Sequence, residues 1–210
     1  MSTTFDVLVL ESHPHAGDDA AAALAAQGHR VHRCHDDPEQ PFPCRGMTSP
    51  SGCPLDVHPV DVALVVQRGQ GPVPTDLEDG VRCAVRARVP VVESGTGLHD
   101  PFAPWLYERV AVGEDVVPAI QRAADRRFDP IRDLVADRIA RLLATIDVDP
   151  STVECAFETT GSALDVHLTV PIAVTHGMEQ SLAVRVLDAV RASGRRFGRI
   201  DVHVHPAEAK

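Results

Sequence analysis

Apolar positions follow two regimes along this chain. Up to about residue 127, short unbroken apolar runs alternate with helical stretches, whereas beyond Thr152 apolar residues fall on every second position. In the first regime Phe5 to Leu10 (FDVLVL) reads as a strand, Glu11 to Gly17 as a polar turn, and the alanine-rich stretch up to Gly28 as a helix with a glycine at its end. His29 to Cys34 and Val60 to Val66 predict the second and third strands. A helix is expected over Thr75 to Arg88, where Thr75 and Glu78 have the spacing of a capping box. Val89 to Glu93 predicts a fourth strand, weakened by Pro90, and Arg109 to Val112 a short fifth, followed by a helix starting near Glu114.

Fully apolar strands alternating with helices call for a parallel sheet covered on both faces, because parallel connections need crossovers of a dozen or more residues. Residues 1–127 are therefore expected to form a doubly wound α/β domain with a flavodoxin- or receiver-like parallel sheet. Asp129 and Pro130 then open an amphipathic helix, with Ile131, Leu134, Val135, Ile139, Leu142, Leu143 and Ile146 at helical spacing, so 128–150 is expected to be a connecting helix. From Thr152 the period is two. Val153, Cys155 and Phe157, a turn at Thr159 to Ser162, and Leu164, Val166, Leu168 and Val170 predict a hairpin. A helix over Met178 to Ser193 and a last strand through Ile200, Val202 and Val204 complete a smaller α+β domain over 151–210.

Composition narrows the function classes. The 210 residues carry 30 acidic and 20 basic side chains, a net charge of −10 that repels a phosphate backbone and argues against general nucleic-acid binding. No stretch approaches the run of about 18 apolar residues that spans a membrane, and no basic-then-apolar leader is visible, so a cytoplasmic protein without a membrane span is expected. Arginine supplies all the basic residues except Lys210, and asparagine is absent. That skew is a coding bias, and the arginine richness carries no functional weight.

The chemistry-bearing residues concentrate in one place. Between the second and third strands, where a crossover helix belongs, lies the proline- and serine-rich stretch 34–56 (CHDDPEQPFPCRGMTSPSGCPLD), which cannot sustain a long helix. It holds Cys34, Cys44 and Cys53, and Cys83 follows in the next predicted helix. The second and third crossovers of a doubly wound sheet lie side by side on one face, so the four thiols can converge. In a cytoplasmic protein clustered cysteines point to a metal or redox site rather than a staple, and thiolates suit zinc or an iron–sulfur cluster. The spacing C-x9-C-x8-C-x29-C matches no finger or ribbon signature. Two other readings stay open: thiols that are merely small apolar side chains, and a redox-switch disulfide. His13, His15 and His35 would lie near the carboxyl edge of the sheet, where ligands bind in such folds. His167, His203 and His205 take the polar register of the last strands and would meet if those strands are neighbours.

The succession VLVLES, helix, HRVHRC, VDVALVVQRGQGP, helix, VPVVESG and ERVAVGE resembles the receiver domain of bacterial response regulators over about 110 residues. The resemblance implies an acidic pair after the first strand, an aspartate acceptor after the third and a lysine after the fifth. Those places read Glu11-Ser12, Gln67-Arg68 and Val112-Gly113, leaving only Glu11 and the switch hydroxyl Ser94. Without an acceptor carboxylate there is no aspartyl-phosphate chemistry. The stretch from Leu164 to His205, with His176-Gly177, a helix ending in glycine and a final strand IDVHVH, resembles the alkaline-shock-protein family, which implies protein association and no catalytic residues.

No nucleophile triad, Walker loop, dinucleotide fingerprint or metalloprotease helix is present. The expectation is a non-enzymatic regulatory or scaffold protein with no catalytic residues. It would be homo-oligomeric or bound to protein partners, with zinc or an iron–sulfur cluster on Cys34, Cys44, Cys53 and Cys83. A cysteine-based redox protein or enzyme and a small-ligand binder are the alternatives.

Overall fold

Five short strands in the first half of the chain all run in the same direction: β1 (Asp6–Glu11), β2 (Arg30–His32), β3 (Val62–Val66), β4 (Val91–Ser94) and β5 (Leu106–Val110). The structure, a computed structural model, describes residues 4–49, 51–68, 73–95, 101–160 and 162–207. The chain separates into two compact units, Met1–Arg127 and Phe128–Lys210.

In the first unit the strand order is β2-β1-β3-β4-β5, so the chain winds outward from β1 in both directions. Successive strand residues point to opposite faces, and both faces are covered. Val7, Val9, Val62, Leu64 and Val92 pack beneath helices α1 (Asp18–Ala26) and α5 (Val117–Asp125), whereas Leu8, Leu10, Ala63, Val65 and Val91 face the other way. This second face is covered by Val81 and Ala84 of helix α4 (Gly80–Arg86), by Leu55 and by Cys34. The β2-to-β3 and β3-to-β4 crossovers therefore share one face of the sheet.

Local boundaries differ from the sequence reading where tertiary packing intervenes. The helix expected over Thr75 to Arg88 is split into a 3₁₀ turn (Asp76–Glu78) and α4, with Glu78 accepting a hydrogen bond from the Thr75 amide at 2.8 Å. Pro90 lies just before β4, where its carbonyl accepts from the Ala63 amide at 2.9 Å and no ladder donor is lost. The fifth strand begins at Leu106 rather than Arg109, because this edge strand is half exposed and its alternation starts with the pair Val91 and Leu106. The stretch expected to lack a long helix holds two four-residue turns, α2 (Arg45–Thr48) and α3 (Pro54–Val57).

The second unit is a mixed three-stranded sheet in the order β6-β7-β8, formed by β6 (Glu154–Thr160), β7 (Ala163–Val170) and β8 (Arg199–Pro206). β6 runs antiparallel to β7, and β8 runs parallel to it. A parallel return needs a crossover, which is helix α7 (His176–Ala192). Leu164, Val166, Leu168 and Val170 are fully buried against Leu182, Val186 and Val190 of α7 and Ile131, Val135, Ile139 and Leu143 of α6 (Asp129–Ala144). Gly161 of the expected hairpin turn lies outside the described residues. Among the described residues no helix is long and apolar enough to cross a membrane.

Candidate functional site

The cysteine-bearing crossover leaves β2 and passes at once over the sheet face. Cys34 is buried among Leu8, Leu10, Val65, Val81 and Ala84, because it follows the last residues of an edge strand and faces the covered side. Its carbonyl accepts from the Arg45 amide at 2.9 Å, tying the start of the crossover to the turn that opens at Cys44. Cys44 immediately precedes α2, and Cys53 precedes α3, whose first residue is Pro54. The two turns are pressed together through glycines: a Cβ at Gly46 would stand 2.9 Å from the Cys53 Cβ and 3.6 Å from its Sγ.

Helix α4, on the neighbouring crossover, approaches the Cys34 thiol. A Cβ at Gly80 would stand 2.4 Å from Leu10 Cδ2 and 3.1 Å from the Cys34 Sγ, so glycine lets the helix lie close to the sheet beside this thiol. Cys83 follows three residues later, on the same side of the helix one turn along. The Arg86 guanidinium donates to the Cys83 Sγ at 3.3 Å. Burial pushes the Cys34 thiol up to about 12, and the neighbouring Cys53, Cys44 and Cys83 add to the rise in that order. Burial also raises the Cys53 thiol, with Asp56 and Cys83 contributing. All three other thiols therefore lie within electrostatic reach of Cys34. The five cysteines of the chain are free thiols. Among the described residues no group of three or more His, Cys, Asp or Glu side chains is arranged to hold a metal ion, so the thiols are neighbours rather than a closed coordination shell.

Beside this cluster a cavity of about 330 Å³ opens along the carboxyl ends of β1 and β2, lined by Glu11, His15, Arg33, Cys34, His35 and Leu77. Glu11 is buried and already engaged: it accepts from the Gly17 amide at 2.8 Å and from Arg33 at 3.1 Å. Ser12 Oγ accepts from the Arg68 amide at 2.9 Å, and Gln67 donates to Glu78 at 3.1 Å. The polar groups at the ends of β1 and β3 thus hold the loops together. His13 and His15 are exposed, His15 pairing with Asp18 at 2.9 Å. His35 differs, since its Nδ1 is buried without a hydrogen-bond partner, and burial lowers its pKa against the pull of Glu11 and Asp36.

The amino ends of the strands hold charges that the apolar pattern concealed. Asp6, 2% exposed, accepts from Arg30 Nε at 2.9 Å and from His32 Nε2 at 2.7 Å. Burial alone would raise its pKa, but the hydrogen bonds from His32 and Arg30 outweigh it and bring the carboxyl to about 2. Asp61 accepts from the Asp6 amide at 3.0 Å and pairs with Arg127 at 2.8 Å. The only sequence signal for this cluster is an acid inside each of two otherwise apolar runs, FDVLVL and VDVALVV. His32 stacks on His58 with ring centres 4.2 Å apart.

In the second unit Cys155 is partly buried against the core, and burial pushes its thiol up to about 11. It belongs to a different unit from the four-thiol cluster. His167, His203 and His205 stand together on the sheet face away from the helices. Comparison of the chain with protein-family models, with curated proteins and with solved structures finds no match.

Proposed function

We propose that this chain is a non-enzymatic regulatory or scaffold protein whose first unit is a flavodoxin-like, receiver-type module that binds a thiophilic metal through Cys34, Cys44, Cys53 and Cys83. The observation that carries the reading is the placement of these thiols on two adjacent crossovers over one sheet face, drawn close by Gly46 and Gly80. The strand order β2-β1-β3-β4-β5 is the flavodoxin-like order and supports the module assignment. The side chains at the receiver's acceptor position, Gln67 and Arg68, supply no carboxylate, which supports a scaffold without phosphotransfer.

Burial and neighbouring thiols disfavour the Cys34 and Cys53 thiolates, and a cation would reverse that balance by taking thiolates as ligands. Such a sulfur set suits zinc or an iron–sulfur cluster. The free energy of binding would order a crossover that has only two four-residue turns of its own. The second unit, with an exposed sheet face, would serve self-association or a protein partner.

Anaerobic purification followed by elemental analysis and absorption spectra tests the metal. Stoichiometric zinc, or iron with sulfide and a brown colour, is the expected result, lost in Cys44→Ser and Cys53→Ser. Metal-free chain that refuses added zinc while retaining its native circular dichroism would overturn the reading. The cysteine-based redox alternative is favoured by the same proximity of free thiols. It would be signalled by an intramolecular disulfide formed under mild oxidant, with two thiols giving up two protons and two electrons.

A further inference from the structure

The outer face of the three-stranded sheet displays three imidazoles in a fixed triangle. β7 and β8 pair in parallel with His167 opposite His203 and Thr169 opposite His205. Side chains alternate, so burying Leu164, Val166 and Leu168 sends Asp165, His167 and Thr169 to the other side, joined there by Asp201, His203 and His205. The ring centres lie 4.8 Å apart for His167 and His203, 5.8 Å for His167 and His205, and 6.2 Å for His203 and His205. These separations follow from the sheet itself. Neighbouring strands are about 4.8 Å apart, and residues two positions along one strand are about 6.5 Å apart.

One metal ion requires a similar, slightly shorter spacing. Three imidazoles bound tetrahedrally to one zinc at about 2.0–2.1 Å have ring centres about 5 Å apart. The ring planes here lie within 17° of parallel, so the imidazoles stack and their nitrogens do not yet point at a common position. Convergence requires side-chain rotation, for which the exposed His203, 44% exposed at its side chain, and His205 have room. Asp165 places a carboxylate oxygen 3.5 Å from His203 Nε2, the kind of partner that orients a metal-ligating histidine. Asp201 and, across β6, Glu158 opposite Asp165 share this face. Arg199, its nearby cation, is paired with Asp201 at 2.6 Å. The face therefore combines imidazole nitrogen donors with carboxylates that attract a cation.

We propose that His167, His203 and His205 bind one divalent transition-metal ion of the zinc and nickel class, with Asp165 as the positioning residue for His203. The fourth position is left to water or an external ligand. This site is separate from the cysteine pocket and stands whether or not that pocket binds metal.

Titration of the reduced, metal-free full chain with Co²⁺ separates the two. Thiolate ligation gives intense sulfur-to-metal charge transfer, and imidazole ligation does not. The expected result is one equivalent of bound Co²⁺ without charge transfer, lost in the double variant His167→Gln, His203→Gln and weakened about tenfold in Asp165→Asn. Calorimetry with Zn²⁺ should show the loss of one equivalent in the same double variant. Circular dichroism identical to that of the unaltered chain confirms that it folds. Co²⁺ and Zn²⁺ stoichiometries unchanged by the histidine substitutions, or the absence of any equivalent without charge transfer, would overturn the proposal.

Discussion

Gly52 and Arg45 meet so closely that a Cβ at residue 52 would stand 2.2 Å from the Arg45 carbonyl oxygen. The obstacle is backbone, which cannot rotate aside as a side chain can. Gly52→Ala must therefore push apart the two turns that carry Cys44 and Cys53. A loss of about 1–3 kcal/mol is expected, as for other overpacked sites. Urea unfolding measures it. Unchanged stability would show that the turns do not depend on this contact.

The Asp6 carboxylate gives the fold a defined acid sensitivity. Its folded pKa of about 2 lies below the ordinary 3.8, so its contribution is fully present above pH 4 and is lost as the pH falls from about 4 to about 2. A shift of this size corresponds to about 2 kcal/mol. Asp6→Asn should cost that amount at pH 7 and flatten the stability profile of the first unit between pH 4 and pH 2. Denaturant titrations at a series of pH values give the comparison, and parallel profiles for the two chains would refute it.

Helix α6 holds the second unit together through one stripe. Ile131, Val135, Ile139 and Leu143 are each at most 3% exposed, beneath a sheet whose other face is open. Leu143→Ala should destabilise this unit by about 2–5 kcal/mol through lost burial and a residual cavity. Hydrogen exchange of the β7 amides reports it directly. Protection factors that do not change would mean that α6 is not part of this core.

Thiol reactivity should divide the cysteines by burial. In the reduced, metal-free chain at pH 8, burial that pushes Cys34 up to about 12 and Cys155 up to about 11 keeps both thiols protonated and slow to react. Brief iodoacetamide treatment followed by mass spectrometry should leave both unlabelled while the partly exposed Cys44 and Cys83 react. Labelling of Cys34 as fast as Cys83 would contradict the buried placement.

Much of the architecture was legible before any coordinates. The runs at Phe5 to Leu10 and Val60 to Val66, apolar but for one acid each, require cover on both faces, and they lie in a parallel sheet. The alternation at Leu164, Val166, Leu168 and Val170 requires cover on only one, and that strand lies in a sheet with one open face. Parallel connectivity also made it foreseeable that the crossovers bearing Cys34 and Cys83 share a side of the sheet.

The remainder depends on contacts between residues far apart in the chain. The helix expected over Thr75 to Arg88 runs through Gly80 with no sign that this glycine makes room for Leu10 and the Cys34 thiol. Periodicity marks Asp6 as an oddity in a strand, but not that Arg30 and His32 approach it from β2. Alternation along the chain, set by local geometry and the need to bury apolar surface, determined the elements and their layers. Register between strands and the closeness of packed turns decided which thiols, imidazoles and charges meet, because those distances arise only once the whole chain has folded.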